Sequence, residues 1–111
     1  MVKYKLSRSK DEEKYTLLDS DIAALLNNRA IRLRPDGYAV LRYRIGKKRR
    51  EMYIHTFVME IAVPGSTAGM TVDHLNNDKL DNRRENLEVV SAKENIKRMN
   101  GRKWLKRKIV K

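Results

Sequence analysis

The 111-residue chain contains no cysteine. Disulfides and thiolate metal clamps are therefore excluded, and any bound metal must be held by oxygen or imidazole. No apolar run approaches the roughly 20 residues needed to cross a bilayer. The first ten residues are charged and carry no apolar signal core. The expectation is a soluble, cytoplasmic protein with no membrane partner. Internal repeats and low-complexity stretches are also missing. One further absence concerns charge: residues 97–111 include no acid at all.

What is present in charge is more telling. The formal net charge is +12, unevenly distributed. Residues 1–40 carry a net +2, residues 41–60 a net +4, residues 61–96 a net −2, and residues 97–111 a net +8. An acidic centre is thus flanked by two basic arms. Lys/Arg density of this kind follows phosphate, so a polyanion gripped on both sides of a cation site is the natural partner, and nucleic acid the expected one. The length suits one domain with a modest core.

Hydrophobic periodicity places the elements. A lead-in or edge strand is expected around Val2–Leu6 and a short strand at Tyr15-Thr16-Leu17-Leu18. Asp19 or Ser20 then caps a helix to about Asn27, with Ile22, Leu25 and Leu26 at helical spacing. From Ala30 the period becomes two. Ile31 and Leu33 alternate with Arg32 and Arg34, and Pro35-Asp36-Gly37 turns the chain into a strand over 38–45. Ala39, Leu41, Tyr43 and Ile45 should share one face of it, and Arg42 and Arg44 the other. Gly46-Lys47-Lys48 leads to a third strand over 50–54. The product is an antiparallel ribbon with basic side chains at Arg42, Arg44, Lys47, Lys48, Arg49 and Arg50, suited to a DNA groove or its phosphates. A helix over 55–63 follows, its stripe formed by Phe57, Val58, Ile61 and Ala62, and Pro64-Gly65 ends it.

The densest polar stretch is 71–95. Met70-Thr71-Val72 reads as a strand ending in Asp73-His74. Turn formers make 76–86 a compact loop, and Leu87-Glu88-Val89-Val90 returns as a strand. Ser91 and Glu94 form a capping box, so a helix starts there and Gly101 stops it. Ala92, Ile96 and Met99 form its expected buried stripe, which turns Asn95 inward as well. An asparagine inside a helix is unfavourable by propensity and must be bonded or coordinated when buried. Trp104, in the basic tail, either pins that tail to the core or stacks on a base.

Strand, loop, strand, helix, with Asp-His on the first strand and Asn on the helix, resembles the ββα-metal fold of the HNH endonucleases. The likeness is closest to phage and intron-associated homing-type members. It is carried by VDHLNNDKLDNRRENLEVVSAKEN, extends upstream through YIHTFVMEIAVPG and the ribbon sequence, and covers roughly residues 14–100. One position departs: Thr56 stands where such proteins commonly carry arginine after the histidine.

The resemblance implies an α+β fold, a ββα-metal (His-Me finger) module preceded by a small antiparallel β-ribbon with short helices. Its divisions are a DNA-binding region at 1–66, the nuclease module at 67–101 and a basic tail at 102–111. It also implies roles. His74 is the general base. Asp73 and Asn95 hold one divalent ion, Mg²⁺ or Mn²⁺. Asn86 accepts a hydrogen bond from the other ring nitrogen of His74 and fixes its tautomer, while Asp81 and Asn82 shape the loop. By their charge, Arg98, Arg102 and Lys103 are expected to join the ribbon residues in binding double-stranded DNA. The implied reaction is metal-dependent hydrolysis of DNA leaving 5′ phosphate and 3′ hydroxyl, with a monomer nicking and a dimer able to cut both strands. The competing class is a non-catalytic DNA-binding protein, or a phage packaging or repair accessory protein, that keeps the fold. A basic RNA-binding protein ranks last, because it leaves the acidic centre unexplained.

Overall fold

The computed structural model describes residues 1–7 and 14–97. Among these, β1 (Val2–Lys5) and β2 (Tyr15–Leu18) form an antiparallel pair, followed by α1 (Ser20–Leu26). β3 (Ile31–Leu33), β4 (Ala39–Ile45) and β5 (Lys48–Tyr53) make a three-stranded antiparallel sheet. α2 (Ile54–Ala62) leads to the antiparallel pair β6 (Thr71–His74) and β7 (Leu87–Val90), and residues 92–97 are helical. The fold is α+β, as expected. Arg98, Met99, Gly101, Arg102, Lys103 and Trp104 lie outside the described residues.

The three sheets share one core. Leu18, Ile22, Leu26, Ile31, Ile54 and Val58 are each at most 1% exposed. Leu41, Val72 and Leu87 join the same cluster, so every sheet and both helices contribute to it. Full burial of such side chains stabilises the fold by about 1.5–3 kcal/mol each.

Several expected faces are corrected by the packing. Leu25 is 57% exposed and Ile61 43% exposed, because α1 and α2 each present a narrow face to the core, through Ile22 and Leu26 and through Ile54 and Val58. β5 begins at Lys48, two residues earlier than read, since the two-residue turn at Gly46-Lys47 lets Lys48 pair with Ile45. The apolar face of β4 also ends early: Ala39 and Leu41 are buried, Tyr43 is half-buried, and Ile45 is 64% exposed. The β4–β5 hairpin projects past the core, so alternation persists with nothing to cover it. The helical residues 92–97 are corrected in the same sense. Ser91 Oγ accepts from the Glu94 amide at 3.1 Å as the cap requires, but Ala92 and Ile96 are exposed while Asn95 is half-buried. Periodicity tells which residues share a face, not what lies against it.

The Asp19 carboxylate does not cap α1. It accepts instead from the backbone N–H of Arg84 at 2.8 Å, and Arg84 pairs with Asp21 at 2.7 Å. The start of α1 is thereby tied to the loop between β6 and β7.

Candidate functional site

The loop from Leu75 to Asn86 is held by its own side chains. Asn76 Oδ1 accepts from the Asp78 amide at 2.9 Å, an Asx turn, and Asn77 takes the left-handed conformation (φ 63°) that asparagine tolerates. Asp78 repeats the motif toward the Leu80 amide at 3.0 Å. Asn86 Oδ1 accepts from the Asn76 amide at 3.1 Å, while its Nδ2 donates to Asn76 Oδ1 and to the Asp81 carbonyl, both at 2.9 Å. Asp81 is 2% exposed and is gripped by Arg83 Nε at 2.7 Å and Nη2 at 2.8 Å, with Asn76 Nδ2 at 2.8 Å. The Arg83 guanidinium, with help from Asn76, holds the Asp81 carboxyl below the usual carboxylate range. Among the described residues no buried side-chain polar atom lacks a partner.

His74, at the end of β6, is 5% exposed, and Asp73 beside it 6%. The His74 ring meets Asn82: Nε2 and Asn82 Oδ1 lie 2.8 Å apart. This corrects the expectation for Asn86, whose amide is committed to closing the loop. The resemblance implies that role for Asn86 and leaves Asn82 to shape the loop; the path of the loop instead brings Asn82 to the ring. Asn82 in turn donates from Nδ2 to Thr16 Oγ1 at 2.8 Å, and the Thr16 hydroxyl donates to the Leu80 carbonyl at 2.7 Å. Backbone bonds from Leu17 N–H to the Leu80 carbonyl (2.8 Å) and from Asn82 N–H to the Leu17 carbonyl (3.0 Å) stitch β2 along the loop. The first half of the chain thus builds the wall behind His74.

An aromatic cluster covers the other side of the ring. His55 lies edge-on to His74, with centroids 5.1 Å apart, and stacks on Tyr53 at 4.9 Å; Tyr38 lies 5.9 Å from His74. Burial, and next the neighbouring His74, push the His55 pKa down to about 4, so its ring is neutral at pH 7. Lys79 reaches from the loop over Tyr38, with Nζ 4.8 Å from the ring centroid, and donates to the Asp36 carbonyl at 2.8 Å. Gly37 has φ +89°, and a Cβ there would approach Lys79 Cδ to 3.2 Å, so the ribbon turn needs glycine for both its conformation and its docking on the loop. No spacing along the chain marks Tyr38, Tyr53, Lys79 or Thr16, since each reaches the site only through sheet pairing and turn docking.

The basic ribbon residues divide by register. Arg42 opposes Glu51 and Arg44 opposes Arg49, which puts these four on one face; Lys48 and Arg50 pair with Ile45 and Tyr43 on the other. Arg42 and Arg34 both bind Glu51, at 3.1 and 2.6 Å. Among the described residues Arg44 and Arg49 make no ion pair. An open groove runs over this face, lined by Arg29, Arg32, Arg42, Tyr43, Arg44 and Arg49. Arg32 enters through the alternation read along the ribbon, whereas Arg29 carries no signal in the sequence. A chain of contacts leads from Arg42 in the groove back to the imidazole: Arg42 and Arg34 share Glu51, Arg34 lies 5.7 Å from the Tyr53 ring centroid, Tyr53 stacks on His55, and His55 abuts His74.

Residues 52–97, which span this loop and both of its strands, match the family model described as HNH endonuclease. Over that segment the chain is similar to HNH endonucleases. Over 62 residues it is 37% identical to YosQ of Bacillus subtilis (strain 168), an SPbeta prophage-derived protein named as an HNH homing endonuclease. That match covers 55% of this chain and 36% of YosQ. The solved structure described as DNA binding and cleavage by the HNH homing endonuclease I-HmuI is similar over 65% of this chain and 41% of the other, with a TM-score of 0.55 and 27% identity. The chain therefore spans well under half the length of either relative. Among the described residues no helix is long and apolar enough to cross a membrane.

Proposed function

We propose that the protein is a DNA endonuclease whose HNH segment hydrolyses phosphodiester bonds with His74 as general base. The observation that carries this reading is the placement of a nearly buried imidazole at the end of β6, bonded through Nε2 and packed against Tyr38 and His55, beside a nearly buried carboxylate. A base must be oriented before substrate arrives, and the bond to Asn82 serves that need. I-HmuI is described as binding and cleaving DNA, and YosQ carries the homing endonuclease name, which favours DNA as the substrate.

The donor set suits a hard divalent ion. Asp73 offers a carboxylate and Asn95 an amide oxygen, and the chain has no thiolate. Among the described residues no three His, Cys, Asp or Glu side chains gather as a metal cage, so Asp73 and Asn95 would hold Mg²⁺ or Mn²⁺ with water and phosphate oxygens. Such an ion, when bound, neutralises charge on the phosphate and on the departing 3′ oxygen. The protein's own residues do the rest. His74 takes the proton from the attacking water, Asn86 closes the loop that sets the end of β6, and the cleaved strand keeps a 5′ phosphate and a 3′ hydroxyl. One site per chain makes a monomer a nicking enzyme, and a dimer able to cut both strands. A DNA substrate and a prophage-derived relative favour the cytoplasm of a bacterial or phage-infected cell as its site of action.

DNA would lie along the arginine face. Arg44 and Arg49, with Arg29 and Arg32 in the same groove, contact phosphates; Arg42 joins them from its bond to Glu51, and Lys47, Lys48 and Arg50 grip from the tip and far face. Arg98, Arg102 and Lys103 add charge from the C-terminal arm. The test is a supercoiled-plasmid assay with Mg²⁺ or Mn²⁺, with and without EDTA. Nicking that needs metal and disappears in His74→Ala, with DNA binding retained, is the expected result. A wild type that binds DNA yet leaves it intact with both metals across varied sequences would favour the non-catalytic accessory role instead.

A further inference from the structure

The run of hydrogen bonds behind His74 has a direction, and that direction assigns a proton. The Leu80 carbonyl at its end can only accept. Thr16 Oγ1 lies 2.7 Å from it, so the one hydroxyl proton points there. Toward Asn82, 2.8 Å away, Thr16 can then only accept, which requires the NH₂ group of Asn82 on that side. Asn82 must therefore turn its carbonyl oxygen to His74, and at 2.8 Å that oxygen needs a donor. All of this is sealed from water: Thr16 is 0% exposed and Asn82 1% exposed, so a reversed amide would leave buried groups facing like groups.

We infer that Thr16 and Asn82 are positioning residues that lock neutral His74 as the Nε2–H tautomer, leaving Nδ1 as the nitrogen that receives the proton of the attacking water. The inference rests on the reading of His74 as the base for its catalytic meaning, but not for its structural content. It gives β2, 58 positions before His74 in the chain, a share in the chemistry. The amide orientation of Asn82 is decided by a hydroxyl on a strand outside the segment that matches the HNH family. His55 completes the device from the opposite side, packing edge-on against the same ring.

The experiment is long-range ¹⁵N–¹H correlation of the full chain with Mg²⁺ present, at a pH where the ring is neutral. Only two histidines contribute, and His74→Ala identifies which signals are its own. The expected wild-type spectrum has His74 protonated on Nε2 alone. Protonation on Nδ1 overturns the inference, whatever the variants do. Thr16→Val, which keeps the shape and removes the hydroxyl, should bring the second tautomer to at least about a tenth of the population and lower kcat severalfold with KM unchanged. Thr16→Ser should restore both. A Thr16→Val protein with one unchanged tautomer and wild-type kcat removes Thr16 from the device. The two readings separate cleanly: Nε2–H in a wild type whose His74→Ala still cuts defeats the base and spares the lock, whereas Nδ1–H in a wild type that needs His74 defeats the lock and spares the base.

Discussion

The loop around His74 and the tip of the β4–β5 hairpin are both dense in polar residues, yet they use them in opposite ways. In the loop, Asn76, Asp81, Asn82 and Asn86 are bonded to one another, to Thr16 and Arg83, and to the backbone, largely out of water. At the hairpin tip, Arg44 faces Arg49 across the ladder and Ile45 stands in solvent. Like charges directly opposite are mildly unfavourable in a sheet. The first arrangement defines a geometry before substrate arrives; the second leaves charge available for a partner. A change in the loop should therefore appear as lost chemistry or stability, and a change at the tip as lost affinity.

The comparison breaks most sharply at His74. His74→Ala should reduce cleavage by about 10²–10⁴-fold, the usual contribution of a positioned base, while gel-shift affinity for DNA stays within roughly two- to threefold of wild type. Equal loss of binding would mean that the loop, like the tip, serves mainly as a contact surface.

Acid tests the loop next. His55 has its folded pKa lowered to about 4 from an ordinary 6.5, so between those values the unfolded chain binds a proton that the folded chain does not. Stability is then full above about pH 6.5 and falls as pH drops toward 4, by at most about 3 kcal/mol. Asp81, whose folded pKa is lowered by Arg83, adds loss in the same direction at lower pH. Urea unfolding from pH 8 to 4 checks this, and His55→Phe should flatten the part between 6.5 and 4.

Asn86→Ala comes third. It removes the acceptor of the Asn76 amide and two donated bonds in a buried setting, and should lower stability by about 2 kcal/mol, read as a shift in the urea midpoint. Last and smallest in stability is Arg44→Ala, with a change below about 0.5 kcal/mol. Its effect belongs to binding: the slope of log affinity against log salt should flatten by about one, uniformly across DNA sequences. A sequence-dependent loss would instead make Arg44 a base reader.

Much of this was legible in the residues. Asp73-His74 at a strand end, the turn formers after it, and the Ser91 cap all stand where the pattern put them, because each depends on neighbours within a few positions. The arginine alternation on β4 was legible for the same reason. The exposure of Leu25, Ile45, Ile61 and Ile96 was not, since periodicity carries no information about the facing element.

His74 and Asn82 show where the two sources of information part. The sequence by itself determined that an imidazole would sit at the end of a strand, with asparagines following in a tight polar loop, and that basic side chains would alternate along a hairpin. Those outcomes follow from local backbone preference and the two-residue period of a strand. Only the tertiary structure decided that Asn82 and not Asn86 meets the ring, that Thr16 orients that asparagine across 66 positions of chain, and that Tyr38, Tyr53 and His55 close the other side. Hydrogen-bond direction in a buried network depends on which acceptor lies at its far end, and here that acceptor is the Leu80 carbonyl beside a strand from the other end of the chain.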